Sequence, residues 1–250
     1  MLSLPTFSAD EPSHTAWTDL LKDCVVTLGD GGATAADYDC FDQKHSALKG
    51  YLDELSSVTP QAFASLPKES QLAFLINAYN AWTVELILTE WPDLESIRDL
   101  GNLFRSPWKK KIVRLFGQEL SLDDVEHGRI REKGVYDDPR IHFAVNCASI
   151  GCPALREEAY TGTELETQLE QQTRRFLGDR SRNRLQRNTL EVSSIFKWYR
   201  DDFEAGWRGT SSLPEFFARY AVALDATPQA LTSESLEIDF LSYDWALNKP

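Results

Sequence analysis

The chain has 250 residues, 42% of them hydrophobic, with 26 basic against 39 acidic residues and a net charge of −13. That length and apolar content suit a folded domain with its own core and argue against wholesale disorder. The acidic balance argues against a nucleic-acid partner, which needs a basic footprint, and no apolar run reaches the roughly 18 residues of a membrane span.

From the N-terminus, Met1 to Asp10 is short and apolar, ends in small residues and turns acidic. It reads like the tail of an export signal without its basic front. Residues 1–12 are therefore expected to be a disordered or residual signal tail, residues 13–250 one domain, and the protein periplasmic or secreted. Trp17, Leu20, Leu21, Cys24, Val25 and Leu28 recur at intervals of three and four, which predicts a helix over 13–28 ending at the glycines 29, 31 and 32. A second helix fits 42–57, with Leu48, Tyr51, Leu52 and Leu55 on one face. Cys24 and Cys40 fall in these segments or the turn between them, and an oxidising compartment would let them form a disulfide. Over 69–90, Leu72, Leu75, Ile76, Tyr79, Trp82, Leu86 and Ile87 form a core stripe while Ala73, Phe74 and Val84 cover much of the rest. That predicts a helix buried nearly all round, in which Asn77 and Asn80 need hydrogen-bond partners.

Residues 110–120 read as a hairpin turning at Gly117 and Gln118. Ser121 to Asp124 reads as a capping box opening a helix through Glu132. At about 100° per residue, Glu126 and Arg129 fall on the apolar face with Leu122, Val125 and Ile130, and His127 on its flank. A core-facing carboxylate needs a partner, so Glu126 is expected to pair with Arg129 or another cation. Residues 140–147 read as a strand, 163 onward and 194–203 as helices, 184–192 as a second hairpin, 213–224 as a helix and 236–240 as a late strand. Helices outnumber strands and the strands come in hairpins. The fold class is therefore α+β, a predominantly helical single domain with a small, mostly antiparallel sheet.

The chemistry-bearing residues gather around 126–152. Strand alternation would put His142 and Cys147 on opposite faces and about 16 Å apart, too far for a nucleophile–base pair, which needs about 3 Å. His127 then becomes the base expected nearer Cys147, and His142 a hydrogen-bonded neighbour of the Asn-bearing helix. Cys147 and Cys152 flank a glycine-containing turn. Three readings compete, with a bridge or redox pair ahead of a reactive thiol beside a structural one and of thiols without chemistry. Without a second Cys/His pair nearby they do not match a structural zinc site; no metal and no cofactor is assigned. The Ser194-Ile-Phe-Lys197 string stands without companion motifs and is discounted.

Five segments occur in an order that carries a resemblance: Ile76 to Asn80, Ser121 to His127, Pro139 to Pro153, Ile195 to Tyr199 with Asp202 and Phe203, and Tyr243 to Asn248. The chain resembles the domain-of-unknown-function 547 family, from about Trp17 to Asn248. The resemblance brings no reaction. It implies that Asn77, Asn80, Glu126, His127, Arg140, His142, Cys147 and Cys152 fall on family motif positions, and that the protein is exported. Two function classes follow. One is a thiol-dependent hydrolase or transferase, with Cys147 as nucleophile, His127 and Glu126 beside it, and Asn77, Asn80, Arg140, His142 and Cys152 as binding or polarising residues for a small molecule or peptide. The other is a non-catalytic binding or scaffold domain whose polar residues form a structural network.

Overall fold

A computed structural model describes residues 12–101 and 106–250, so the expected signal tail lies almost wholly outside the described residues. The first helix, α1 (Thr15–Cys24), buries Trp17, Leu20, Leu21 and Cys24. It stops earlier than its periodicity suggests. Val25–Leu28 leaves as strand β1, antiparallel to β2 (Ala33–Ala36). The β-branched Val25, Val26 and Thr27 favour extended backbone, and Gly29 and Gly31 supply the positive φ values, 54° and 93°, that close the turn. Asp37 caps α2 (Tyr38–Gln43) by accepting from the Cys40 amide, and α3 (His45–Ser57) follows. Cys24 and Cys40 are bridged, fastening α2 to the end of α1.

After α4 (Pro60–Ser65) comes α5 (Lys68–Leu88), which is buried on every side from Ser70 to Val84. Its two asparagines act as splints. The Asn77 amide donates to the Tyr160 carbonyl at 2.8 Å and accepts from the Tyr160 amide at 2.9 Å. Asn80 donates to the Ala144 carbonyl at 2.9 Å and accepts from the Asn146 amide at 2.8 Å. Each thus replaces the backbone pairing that a buried loop would otherwise lack. The hairpin of β3 (Val113–Leu115) and β4 (Gln118–Leu120) leads into α6 (Leu122–Val125), opened by the Ser121/Asp124 capping box. The chain then widens into a π turn over Glu126–Ile130.

The expected strand at 140–147 is not one. Pro139–Phe143 is a 3-10 helix, with Pro at its start and Asp138 accepting from the Arg140 amide. Proline pre-sets the helical φ and the aspartate satisfies a free donor, and together they outweigh five residues of alternation. Arg140 is 2% exposed and sits among the carboxylates of Asp138, Glu166 and Glu170, with its guanidinium 4.9 Å from the Trp207 ring centre.

Helix α7 (Leu165–Gly178), the strands β5 (Arg184–Gln186) and β6 (Thr189–Ser193), the short helices α8 (Ile195–Trp198), α9 (Arg200–Phe203), α10 (Leu213–Arg219) and α11 (Pro228–Leu231), and β7 (Glu237–Leu241) complete the fold. Strand β7 runs parallel to β6; the other strand pairs among the described residues are antiparallel. The molecule is α+β, largely helical with small sheets. Two groups of buried apolar side chains fill it. One surrounds α5, the other gathers Phe143, Phe176, Phe196, Phe203 and Phe216. Residues 139–145 serve both: Ile141, Ala144 and Val145 pack in the first group and Phe143 in the second.

Candidate functional site

At this seam lies a cleft of about 220 Å³. Five of the residues singled out from sequence line it: Glu126, His127, His142, Cys147 and Cys152. Asn77, Asn80 and Arg140 do not. They hold the surrounding frame by the contacts described above.

The π turn accounts for Glu126. An extra residue in a helical turn is often found at functional sites, and here it presents Glu126 to the cleft while Ile130 stays in the core. Glu126 does not pair with Arg129, whose guanidinium lies over the Phe116 ring at 4.8 Å. Instead its carboxylate accepts from the Tyr199 hydroxyl at 2.8 Å, and its charge acts on the Tyr79 phenol. A phenol, not a cation, serves the carboxylate. Burial and the Glu126 charge push both tyrosines well above the usual phenol range, so they remain donors.

His142 is the best-oriented group. Its imidazole stacks on Tyr199 at 3.9 Å and 22°, and its Nε2 lies 2.8 Å from Oδ2 of Asp202. Asp202 also accepts from Nε of Arg131 at 2.7 Å. Burial raises the Asp202 carboxyl, but the His142 and Arg131 hydrogen bonds outweigh it and hold the group well below the usual carboxylate range. An ionised carboxylate only accepts, so Nε2 is the protonated nitrogen. Nδ1 then carries the lone pair, and it is buried with no hydrogen-bond partner among the described residues. Burial holds the ring below its usual pKa, against the opposing pull of Asp202 and Glu126.

His127 lines the cleft with the cysteines, but its ring nitrogens are engaged elsewhere. Its Nδ1 accepts from the Arg131 guanidinium, and its Nε2 faces Asp123 at 3.7 Å. Both nitrogens are turned to side chains of its own helical segment. The histidine with a buried, unpartnered nitrogen is His142. The opposite-face argument that set it aside fails because residues 139–143 are helical.

Cys147 and Cys152 are joined in a disulfide, so the expected Cys147 nucleophile is capped in this state. The Cys147 amide donates to the Cys152 sulfur at 2.9 Å. The Tyr243 hydroxyl sits between the sulfurs, 3.0 Å from Cys147 Sγ and 3.2 Å from Cys152 Sγ. Neither bridged sulfur carries a hydrogen, so the phenol is the donor. Gly151 makes room for it: a Cβ there would come within 2.8 Å of the Tyr243 ring. Trp198, 48% exposed, stacks on Trp245 at 5.7 Å, and with Trp108 these rings form the aromatic side of the cleft.

Sequence reasoning missed Tyr79, Tyr199, Asp202, Tyr243 and the three tryptophans. Tyr199, Asp202, Tyr243 and Trp245 all stood inside the motif segments, so their signal was present without a role attached. Among the described residues no cluster of three or more His, Cys, Asp or Glu side chains is arranged to hold a metal, and no helix is long and apolar enough to cross a membrane. The model of a family described as "Protein of unknown function, DUF547" matches residues 63–177. The match is shorter than the span from Trp17 to Asn248 over which the motifs run. It includes Glu126, His142 and both cleft cysteines but not Tyr199, Asp202 or Tyr243. No curated protein and no solved structure matches the chain.

Proposed function

From the geometry of its cleft we propose that this chain, whose residues 63–177 match the model of the DUF547 family of unknown function, is a hydrolase or transferase acting on a small molecule or peptide. The observation that carries the reading is His142: Asp202 fixes its tautomer and leaves Nδ1 as a buried lone pair in the wall that also holds Cys147. That is the arrangement a general base needs, a ring oriented by a carboxylate with one nitrogen open. In the reduced protein, Cys147 supplies the nucleophile and His142 takes the thiol proton. The thiolate attacks an acyl carbon, the leaving group departs with the proton, and water or an acceptor releases the acyl group. Glu126, held by Tyr199, orients a polar group of the substrate. Two disulfides support an oxidising compartment, hence export.

The test is hydrolysis of p-nitrophenyl acetate by the full chain after reduction. Turnover is expected to fall at least about 100-fold in His142→Ala, the low end of general-base contributions, and to vanish in Cys147→Ala. An active Cys147→Ala variant removes the nucleophile, and an inert wild type or an unimpaired His142→Ala removes the reading. A second reading, a binding domain without catalysis, is favoured by the bridged sulfurs and by the tryptophan side of the cleft. It predicts ligand-dependent tryptophan fluorescence changes with no turnover in either redox state.

A further inference from the structure

We propose that the Cys147–Cys152 bridge is an exchangeable disulfide that oxidises low-molecular-weight thiols entering the cleft, with Cys147 the sulfur attacked and Cys152 the sulfur that leaves. Access sets the polarity. Cys147 is half-buried and lines the cleft, whereas Cys152 is 3% exposed. Exchange follows the reachable sulfur and the leaving thiolate that is better stabilised. The leaving group has a donor already in place, the Cys147 amide at 2.9 Å from Cys152 Sγ, and the Tyr243 hydroxyl, which lies between the two sulfurs, is 3.2 Å away and free to turn to it. Hydrogen bonds to a thiolate are stronger than to a neutral sulfur, so both strengthen as the S–S bond breaks.

The loop is built to survive opening. Ile150 donates to the Ala246 carbonyl at 2.8 Å, Gly151 to Asp244 at 2.9 Å, and Asn248 to Ala148 at 3.2 Å. Asn146 is tied to Asn80 and accepts from the Ala148 amide, holding Ala148 at a φ of 61°. These bonds fix the two sulfurs opposite each other without help from the covalent link. The bridge also spans only five positions in sequence, so its loss returns little chain entropy. The Cys24–Cys40 bridge is the internal contrast. It spans 16 positions, Cys24 lies fully inside the first core, and its half-buried partner Cys40 packs at the edge of that core and lines no cleft with the chemistry-bearing residues.

In the step proposed, a thiolate RS⁻ attacks Cys147 Sγ. An RS–S bond forms, the Cys147–Cys152 bond breaks, and Cys152 leaves as a thiolate. A second RS⁻ attacks the substrate sulfur of the mixed disulfide, RSSR departs, and Cys147 is released as a thiolate. Two thiols are oxidised, the protein pair is reduced by two electrons, and the thiol protons pass through solvent to the cysteine thiolates. The proposal deepens the hydrolase reading, since the same event uncaps Cys147. It does not depend on that reading, because its readout is the sulfurs themselves.

The native full chain is incubated with reduced glutathione as the probe, quenched at intervals with iodoacetamide, and mapped by peptide mass. The Cys147–Cys152 bridge should open at least tenfold faster than Cys24–Cys40. With oxidised glutathione as the probe, the free Cys147 thiolate of Cys152→Ser should attack it, forming the mixed disulfide at Cys147 and releasing one glutathione thiolate. Tyr243→Phe, with an unchanged circular dichroism spectrum, should slow opening about fivefold, the loss of roughly one hydrogen bond to the leaving group. Equal rates for the two bridges, opening only in denaturant, or mixed-disulfide formation with oxidised glutathione that is faster at Cys152 in Cys147→Ser than at Cys147 in Cys152→Ser would overturn the proposal. Opening without ester turnover would leave the exchange standing and remove only the hydrolase.

Discussion

A buried imidazole with one nitrogen on a carboxylate and the other open carries a pH signature. Burial depresses the folded pKa of His142, so the native state binds fewer protons there than the unfolded chain. Its contribution to stability is therefore complete above the unfolded value of about 6.5 and declines as pH falls below it toward the folded pKa. Urea unfolding followed from pH 7.5 to 5 should show declining stability, and His142→Gln should flatten that slope. A slope identical in the variant would place the titration on another group. Asp202 acts lower on the scale. Its depressed folded pKa gives stability present above about 3.9 and lost as pH falls further. Glu126 gives the second expectation at this scale. Glu126→Ala strands the Tyr199 hydroxyl, and a buried unsatisfied donor costs about 1–3 kcal/mol. Chemical denaturation should show a loss of about 2 kcal/mol; an unchanged midpoint would mean the phenol had found another partner. The need of Glu126 for a partner was legible in the sequence from its place on an apolar helical face. The identity of the partner was not, because Tyr199 arrives from the turn between α8 and α9, 73 positions later.

Among the elements, the long helix α5 and the two hairpins at 113–120 and 184–193 were legible because each carries a sustained period or a distinct turn. The segments that build the site were not. Alternation over 140–147 looked like a strand, but a proline start and an aspartate cap made its first part a 3-10 helix. That change of period moves His142 into the cleft. At 126–130 a π turn does the same for Glu126, and neither feature has a period long enough to show. The loop Cys147-Ala-Ser-Ile-Gly-Cys152 was singled out by its residues, and the structure supplies the reason for its glycine: Gly151 faces the ring of Tyr243. Gly151→Ala should force that ring off the sulfurs. Overpacking of this kind costs about 1–3 kcal/mol, and glutathione opening of the bridge should slow as it does in Tyr243→Phe. A Gly151→Ala protein that melts and exchanges like the wild type would show that the ring has room to shift.

Across the whole molecule, the two disulfides separate stability from chemistry. Cys24–Cys40 closes the longer loop and fastens α1, which packs Trp17 against Tyr51 at 5.8 Å, to the rest of the first core. In the chain-entropy account a loop of this length contributes about 3 kcal/mol, and the shorter Cys147–Cys152 loop about 2 kcal/mol. Replacing both members of each pair by serine should therefore destabilise Cys24→Ser/Cys40→Ser more than Cys147→Ser/Cys152→Ser in urea titrations under non-reducing conditions. Burial sharpens the difference. Cys24 is fully enclosed, so a serine hydroxyl there also pays for lost hydration, whereas Cys147 faces the cleft. Function should run the other way. The first double variant, where it remains folded, should keep glutathione consumption at the cleft, and the second should lose it entirely. If the Cys147/Cys152 variant proves the less stable, the loop at 147–152 depends on its covalent link, and the hydrogen bonds from Asn80, Ala246 and Asp244 do not suffice to hold it.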